Sequence, residues 1–506
     1  MNEWMEGYIS DVEYTANYYK ELDPNLLNLT AVLNDIEPIP VDEPFNYCEL
    51  GCGKGITILA LAANYPSGKF YAIDFNPSYI ASARRIAEKA NLTNIYFFEE
   101  SFQELIDKPD LLPQMNFIIF HGIYAWISDE NRLNLIKLCY RHLLSGGFVY
   151  NSYNAKPGWN DVEPLQKLII GLSTEYPGTS LNKMDTIIHK IEKLQEIKSG
   201  YFEHKKDSIK NKINKMKAAD NNYLVHEYLN KDWRAFYFPE VSKEMENAKL
   251  NYLCQASPSE IYTATLLPQE VTKQLSDIYE QNNRELLIDL FVNRVFRRDM
   301  YTRGISKNLN SVERHERLLE KEWILINHDK IEAFNFSLSV GNIQGDKKIY
   351  DKIILALKND ILSTKELQRL SSLDDNRIIQ ALMFLYDANY IAMYQKHDKE
   401  KVTNLNRVFA SSVFEKNRFK YVIAAHIKQA VPMNDINMAW LDGLYKGFTS
   451  RKELVEYVYQ SFTKLNMSIS HENKVLKNSE MKKHLYNLEI KLRKKLLPFW
   501  QKLGIL

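Results

Sequence analysis

Cys48-Glu49-Leu50-Gly51-Cys52-Gly53-Lys54-Gly55 is the stretch on which the fold turns. The apolar run from Phe45 to Leu50 reads as a strand, and Gly55 to Tyr65 as a helix stopped by Pro66. Glycines at such a strand-to-helix junction let the backbone approach a ligand with no Cβ in the way. A second strand, Lys69 to Phe75, then delivers Asp74. An acid about 20 residues after a glycine loop is placed to accept hydrogen bonds from both ribose hydroxyls of a nucleoside. A dinucleotide fingerprint needs a further glycine three residues after Gly53, and Ile56 stands there. Pyrophosphate is therefore disfavoured, and a nucleoside without phosphates fits better.

Outward from this loop, short apolar runs alternate with helical spacing, which predicts an α/β unit with a parallel sheet. Pro77 opens a helix whose buried stripe is Ile80, Ala83, Ala87 and Ala90. Strands follow at Asn94 to Phe98, Phe117 to Phe120 and Phe148 to Tyr153, and Asp129 to Leu144 reads as a helix ended by Gly146 and Gly147. Residues 1–160 thus form a core with an N-terminal helical cap. Residues 161–235 read as a helical insertion, in which Lys193, Lys198, Lys205, Lys206, Lys210, Lys212, Lys215 and Lys217 are expected on a solvated face. In residues 236–340, Pro239 to Ala248 feeds a strand, Asn251 to Gln255, that is a candidate to rejoin the sheet, and the sequence from Ser257 is mostly helical. In residues 341–506, Ser363 reads as a helix cap with Glu366 three residues on, and a helix starts at Asp375. That spacing suggests a winged-helix-like unit for packing or dimerisation; Asp374, Asp375 and Asp387 oppose a phosphate surface. Met481 to Lys502 reads as a docked, basic terminal helix.

The 506 residues suggest about three domains. With 65 basic against 64 acidic side chains the formal net charge is +1, so no global field recruits nucleic acid or an anionic membrane. The acidic stretch from Met1 to Tyr14 is unlike a leader, and Ile56 to Ala63 is far short of the roughly 20 apolar residues of a membrane span. A cytoplasmic location is expected. Cys48, Cys52, Cys139 and Cys254 are too few and scattered for a disulfide framework and are read as reduced core residues, with no metal site.

Glu49, Gly51, Gly53, Gly55 and Asp74 together resemble the first motif and ribose acid of the class I S-adenosylmethionine-dependent methyltransferases. The resemblance implies a Rossmann-like sheet and S-adenosylmethionine as cofactor, with Ser101 and Phe102 against adenine; Ser101 stands where the family more commonly has an acid. A wider resemblance rests on Tyr14-Thr15-Ala16-Asn17-Tyr18-Tyr19, Phe120-His121-Gly122-Ile123-Tyr124-Ala125-Trp126-Ile127, and Gly146 to Asn154 with Pro157-Gly158-Trp159. It continues at His226-Glu227-Tyr228-Leu229-Asn230 and Phe296-Arg297-Arg298. These segments are similar to methyltransferase regulatory-domain proteins, among them the rickettsial protein lysine methyltransferases of outer-membrane protein B. That likeness implies a protein-lysine acceptor. A homodimer is also expected, through the helical insertion or the winged-helix-like unit, and Tyr18, Phe75, His121 and Gly122 are expected as further cofactor contacts.

Methyl transfer to an amine needs alignment and an unprotonated nucleophile, and no metal. His121, Tyr124 and Trp126 at one strand end, with Tyr153, Asn154 and Trp159 at another, are the expected catalytic edge. His121 could accept a proton or touch the cofactor through its backbone, Tyr124 and Tyr153 could orient the acceptor, and Trp126 and Trp159 could equally be core. Glu227, Arg297 and Arg298 read first as structural ion-pair residues. An Asn- or Asp-Pro-Pro-aromatic motif, the mark of amide or base acceptors, is replaced by Phe120-His121-Gly122-Ile123. A small-molecule methyltransferase and a non-catalytic cofactor-binding module are the competing readings.

Overall fold

A computed structural model gives the structure of residues 9, 11–12, 17–198, 200–305, 307–327, 331–415, 418–471, 474–476 and 478–506. Most of the stretch from Met1 to Tyr14, and Tyr14-Thr15-Ala16 of the N-terminal motif, lie outside the described residues. The centre is a seven-stranded sheet built from β1 (Phe45–Leu50), β2 (Gly68–Ile73), β3 (Ile95–Phe98), β4 (Met115–Phe120), β5 (Leu143–Asn154), β6 (Asn251–Gln255) and β7 (Phe296–Thr302). Their spatial order is β3-β2-β1-β4-β5-β7-β6. β1 to β5 pair in parallel, whereas β7 runs antiparallel between β5 and β6. The sheet is therefore Rossmann-like with one reversed strand, and the chain does return to it after the helical insertion.

Alternation along β1 explains the layers. Phe45 and Tyr47 enter the core beneath α2 (Ile56–Asn64) and α3 (Pro77–Lys89), while Cys48 and Leu50 enter the opposite core with Leu105, Leu135 and Cys139. All four cysteines are free and buried. The first core runs on into the C-terminal part, because the helix Glu400–Ser411 packs on α2 and α3. Ahead of it, Glu322–Leu325 pairs antiparallel with both Leu362–Ser363 and Ile391–Tyr394, and three helices, Lys347–Leu357, Thr364–Ser371 and Asp375–Asp387, pack around this small sheet. Ser363 caps the second of these reciprocally with Glu366. A division at residue 340 would cut the central strand from its partners, so this unit begins earlier than its sequence suggests.

Three expectations need correction. The helix after β4 ends at His142, and β5 starts at Leu143 with Gly146 and Gly147 inside it. These glycines sit at an irregularity in the β4–β5 pairing, where a Cβ on Gly147 would lie 3.0 Å from the Asn116 carbonyl. Phe296–Thr302 is a strand, not helical, and its pattern was hidden because its inward face is charged. The terminal helix breaks into Asn478–Lys491, a π turn at Leu492–Leu496 and Leu497–Lys502. Pro498, which lacks an N–H to donate, stands two residues after the end of the π turn. Among the described residues no helix is long and apolar enough to cross a membrane.

The charged face of β7 belongs to Arg297, whose guanidinium reaches Asp299 (2.9 Å), Asp289 (2.7 Å) and Glu285 (2.9 Å). Arg297, Asp289 and Asp299 are fully buried. Removing one partner of such a network leaves uncompensated charge in a low dielectric. Arg297→Leu is expected to cost about 3–5 kcal/mol of stability, read as a fall in the denaturant midpoint.

Candidate active site

Strand order reverses at the β1/β4 boundary, so the loops leaving these neighbours diverge and open a crevice at their carboxyl ends. A cavity of about 390 Å³ occupies it. Glu49, Gly51, Gly53 and Gly55 form one wall, Asp74 and Phe75 the end of β2, and Ser101 and Phe102 the start of α4 (Phe102–Asp107). His121, Gly122 and Trp126 line it after β4, and Tyr153 and Asn154 at the end of β5. Gly51, Gly53, Gly55 and Gly122 all have positive φ. A Cβ on Gly51 would strike Ile123 at 2.9 Å, whereas at Gly53 and Gly122 it would meet no atom within 4 Å. At those two positions bare backbone borders open space.

Two acids dominate the glycine end. Asp74 accepts hydrogen bonds from the N–H of Gly53 (2.8 Å) and of Asn76 (2.9 Å), and burial still pushes its carboxyl up to about 6. Glu49 is pushed up to about 8 by burial and by the neighbouring Asp74, and its Oε2 is buried without a hydrogen-bond partner. A buried carboxylate in that condition is poised for a cation. Ser101 caps α4 reciprocally with Glu104, which leaves Phe102 as the apolar surface beside it.

The opposite end is aromatic and charged. His121 lies against Tyr19, with ring centroids 4.1 Å apart, and its Nδ1 is 3.0 Å from both Tyr150 Oη and Ser152 Oγ. Ser152 in turn accepts from the Gly122 N–H at 2.8 Å. Burial lowers the imidazole to about 4, which makes His121 neutral near pH 7 and a weak base there. Alternation along β7 sends Phe296 and Arg298 to the cavity, opposite in sense to Arg297. Arg298 pairs with Glu21 at 2.9 Å, and Asn17, Tyr19 and Glu21 bring the N-terminal segment onto the cavity wall. Glu227 and Tyr223 of α10 (Asn221–Tyr228) complete this end.

Three expected site residues line no part of the cavity. The Tyr18 hydroxyl points to the Lys428 carbonyl at 3.4 Å. Tyr124 is buried with its hydroxyl on Glu244. Trp159 donates to the Val295 carbonyl at 3.0 Å and packs on Trp233 in the helical insertion. Conversely, Tyr19, Glu21, Tyr79, Asn131 and Tyr223 were not singled out from the sequence. Only the Asn17-Tyr18-Tyr19 segment carried a signal there, with its neighbour rather than Tyr18 facing inward.

Residues 48–147 match the family model described as a methyltransferase domain, and residues 220–303 the one described as a predicted methyltransferase regulatory domain. An uncharacterized protein of Synechocystis sp. is 32% identical over 99% of both chains. The chain belongs to the regulatory-domain methyltransferases. An uncharacterized protein of Rickettsia prowazekii is 27% identical over 65% of this chain and 56% of its own. The solved structure of PKMT2 from Rickettsia typhi in complex with AdoHcy shares the fold, at a TM-score of 0.72 and 17% identity over 96% of this chain and 98% of that one. The cofactor of this methyltransferase is S-adenosylmethionine. The cavity suits it: the orphaned Glu49 oxygen could take the ammonium of the methionine part, Asp74 the ribose hydroxyls, and the bare Gly53 and Gly122 backbones give room.

Asp74→Ala should weaken binding of S-adenosylhomocysteine by about 1.5–3 kcal/mol, roughly a ten- to hundredfold rise in Kd by calorimetry. Glu49 supplies a pH test. A cation at its carboxylate favours the ionised form, so binding at pH 7 should release protons and affinity should rise between about pH 6 and 8. Calorimetry in buffers of different ionisation enthalpy reads this, and Glu49→Gln should abolish the release.

Proposed function

We propose that this methyltransferase modifies the side-chain amine of a lysine in a protein, a surface or outer-membrane protein in kind, as a cytoplasmic homodimer. The observation that carries the reading is the composition of the cavity's second end. Trp126, Tyr153, Tyr223 and Phe296 line the cavity together with the buried carboxylate Glu227, and Tyr223, which hydrogen-bonds to that carboxylate, is 38% exposed, so this end reaches the surface. An aromatic passage with an acid inside suits a slender alkylammonium reaching in from outside. The resemblance to protein lysine methyltransferases and the fold shared with PKMT2 support the same acceptor. Four buried, unpaired thiols are in keeping with a reducing compartment.

When bound, S-adenosylmethionine supplies a methyl group on a sulfonium, ready for in-line displacement. The protein's task is to hold and prepare the amine. A lysine of pKa about 10.4 is neutral at pH 7 only at a cost of roughly 4.6 kcal/mol. Trp126, Tyr153 and Phe296 strip water from the ammonium, which favours loss of its proton. The neutral His121 fixes the Gly122 turn through Ser152, and so sets the backbone between the two ends. Tyr124 and Trp159 stand behind this wall as packing groups: Tyr124 lies 6.1 Å from Tyr153 between ring centroids.

A second reading, methylation of a small amine, is favoured by the N-terminal residues Asn17, Tyr19 and Glu21, which form part of the cavity wall. Incubation of the purified chain with labelled cofactor, outer-membrane protein fragments and a metabolite extract separates the two. Label on lysine, located by mass spectrometry, is the expected result; label on a metabolite alone supports the second reading.

A further inference from the structure

The segment His226-Glu227-Tyr228-Leu229-Asn230 divides its side chains between two jobs. His226 Nε2 lies 2.9 Å from the Val12 carbonyl, and Asn230 donates to the His226 carbonyl at 2.6 Å while accepting from the Ile9 N–H at 3.3 Å. These two bind the N-terminal segment. Glu227 alone in the pentapeptide lines the cavity, although only 4% of it is exposed. Its Oε1 accepts from Asn154 Nδ2 at 3.1 Å, which fixes the carboxylate to the end of β5, and the Tyr223 hydroxyl also hydrogen-bonds to it.

The lysine-rich face of the insertion supplies the other half. Helix α9 (Lys206–Ala218) exposes Lys206, Lys210, Lys215 and Lys217 as expected, but Lys212 is half-buried. Its Nζ sits 3.7 Å from the centre of the Trp159 ring and 5.4 Å from that of Tyr228. Burial raises the carboxyl of Glu227 and lowers the ammonium of Lys212, and their mutual attraction opposes both shifts. The charged and titratable groups acting here are therefore Lys212 and its neighbour Lys215 on α9, and Tyr223 and Tyr228 on α10. Trp159, absent from the cavity, has the task of holding Lys212.

We propose that Glu227, contributed by the regulatory segment, is the acceptor-side catalytic carboxylate: it receives the acceptor's alkylammonium beside Trp126 and Tyr223 and takes its proton. The proposal rests on the amine-acceptor reading above and deepens it. One N–H bond of the ammonium breaks, and its proton goes to the Glu227 oxygen. The nitrogen lone pair so released forms the new N–C bond as the S–C bond breaks, leaving that electron pair on sulfur. The product is a methylated ammonium, and the carboxyl returns its proton to solvent after release. Lys212 is a positioning residue whose charge favours the ionised form of Glu227 between turnovers. His121, neutral and poorly basic, holds the backbone and is not the proton acceptor.

The test uses the full chain saturated with S-adenosylhomocysteine and titrated with n-butylammonium chloride by calorimetry, with n-butanol as the uncharged control. The wild type is expected to bind butylammonium and not butanol. Glu227→Gln, which keeps an oxygen for Asn154, should weaken butylammonium at least tenfold and leave S-adenosylhomocysteine affinity within twofold. Equal butylammonium affinity in the variant, or loss of S-adenosylhomocysteine binding in its place, overturns the proposal. Lys212→Met gives a test that leaves Glu227 in place. Without that cation the carboxylate protonates at higher pH, so the acidic limb of butylammonium binding should move upward, and an unmoved limb overturns the assignment. Butylammonium binding through Glu227 with no protein lysine ever labelled would defeat the protein-substrate reading and leave the carboxylate's role standing.

Discussion

The pairing of β1 between β2 and β4 is the constraint from which the site follows. Because Glu49 lies opposite Ala72 on one side and Ile119 on the other, its strand is held in register by both neighbours, and its carboxylate cannot retreat from the crevice. The glycine loop then turns away from β1 under hydrogen bonds from Gly51 and Cys52 to the Ile73 carbonyl, both 2.9 Å. Asp74, one residue later, ties Gly53 from the same strand end. Two buried carboxyl groups are thus fixed at one end of the crevice, burial raising the cost of ionising both and Asp74 adding to that of Glu49. A protein maintains such an arrangement only where a cationic or hydrogen-bond-donating ligand relieves it.

The sequence was most readable where chemistry and local geometry coincide. Glu49 to Gly55 and Asp74 need little more than a strand, a turn and a second strand to be placed, so their meeting could be foreseen. Ser101 and Phe102 followed from the same topology. Legibility fell where a residue's direction depends on distant packing. Tyr18 and Tyr19 are adjacent, yet only contacts with residues far along the chain decide that Tyr19 meets His121 while Tyr18 meets the Lys428 carbonyl. Trp159 looked like a site aromatic because its segment follows β5, but the insertion draws it into its own core with Trp233. The strand β7 was missed for a physical reason: its buried face is satisfied by ion pairs instead of apolar contacts, so no hydrophobic alternation marks it.

The regulatory segment changes how the domains should be understood. Residues 220–303 supply Tyr223, Glu227, Phe296 and Arg298 to the cavity as well as the strands β6 and β7 to the sheet. It is therefore as much a part of the catalytic unit as the glycine loop. The insertion between the two matched segments has a separate hydrophobic core, joined to the rest through Trp126, which packs on both. One tryptophan therefore links the acceptor end of the cavity to the helices that carry Lys212.

Lys20 stands between two residues that border the cavity, Tyr19 and Glu21, and its own side chain points the other way. It donates to the carbonyls of Tyr386 and Asp387, at 3.1 and 3.3 Å, and to Asn389 Oδ1 at 2.7 Å. The end of a helix more than three hundred residues downstream thereby acts as a mooring for the strip of chain beside the cofactor crevice. Any shift of that strip has to carry the helix end along or cast off from it, so the far module and the entrance are mechanically one piece.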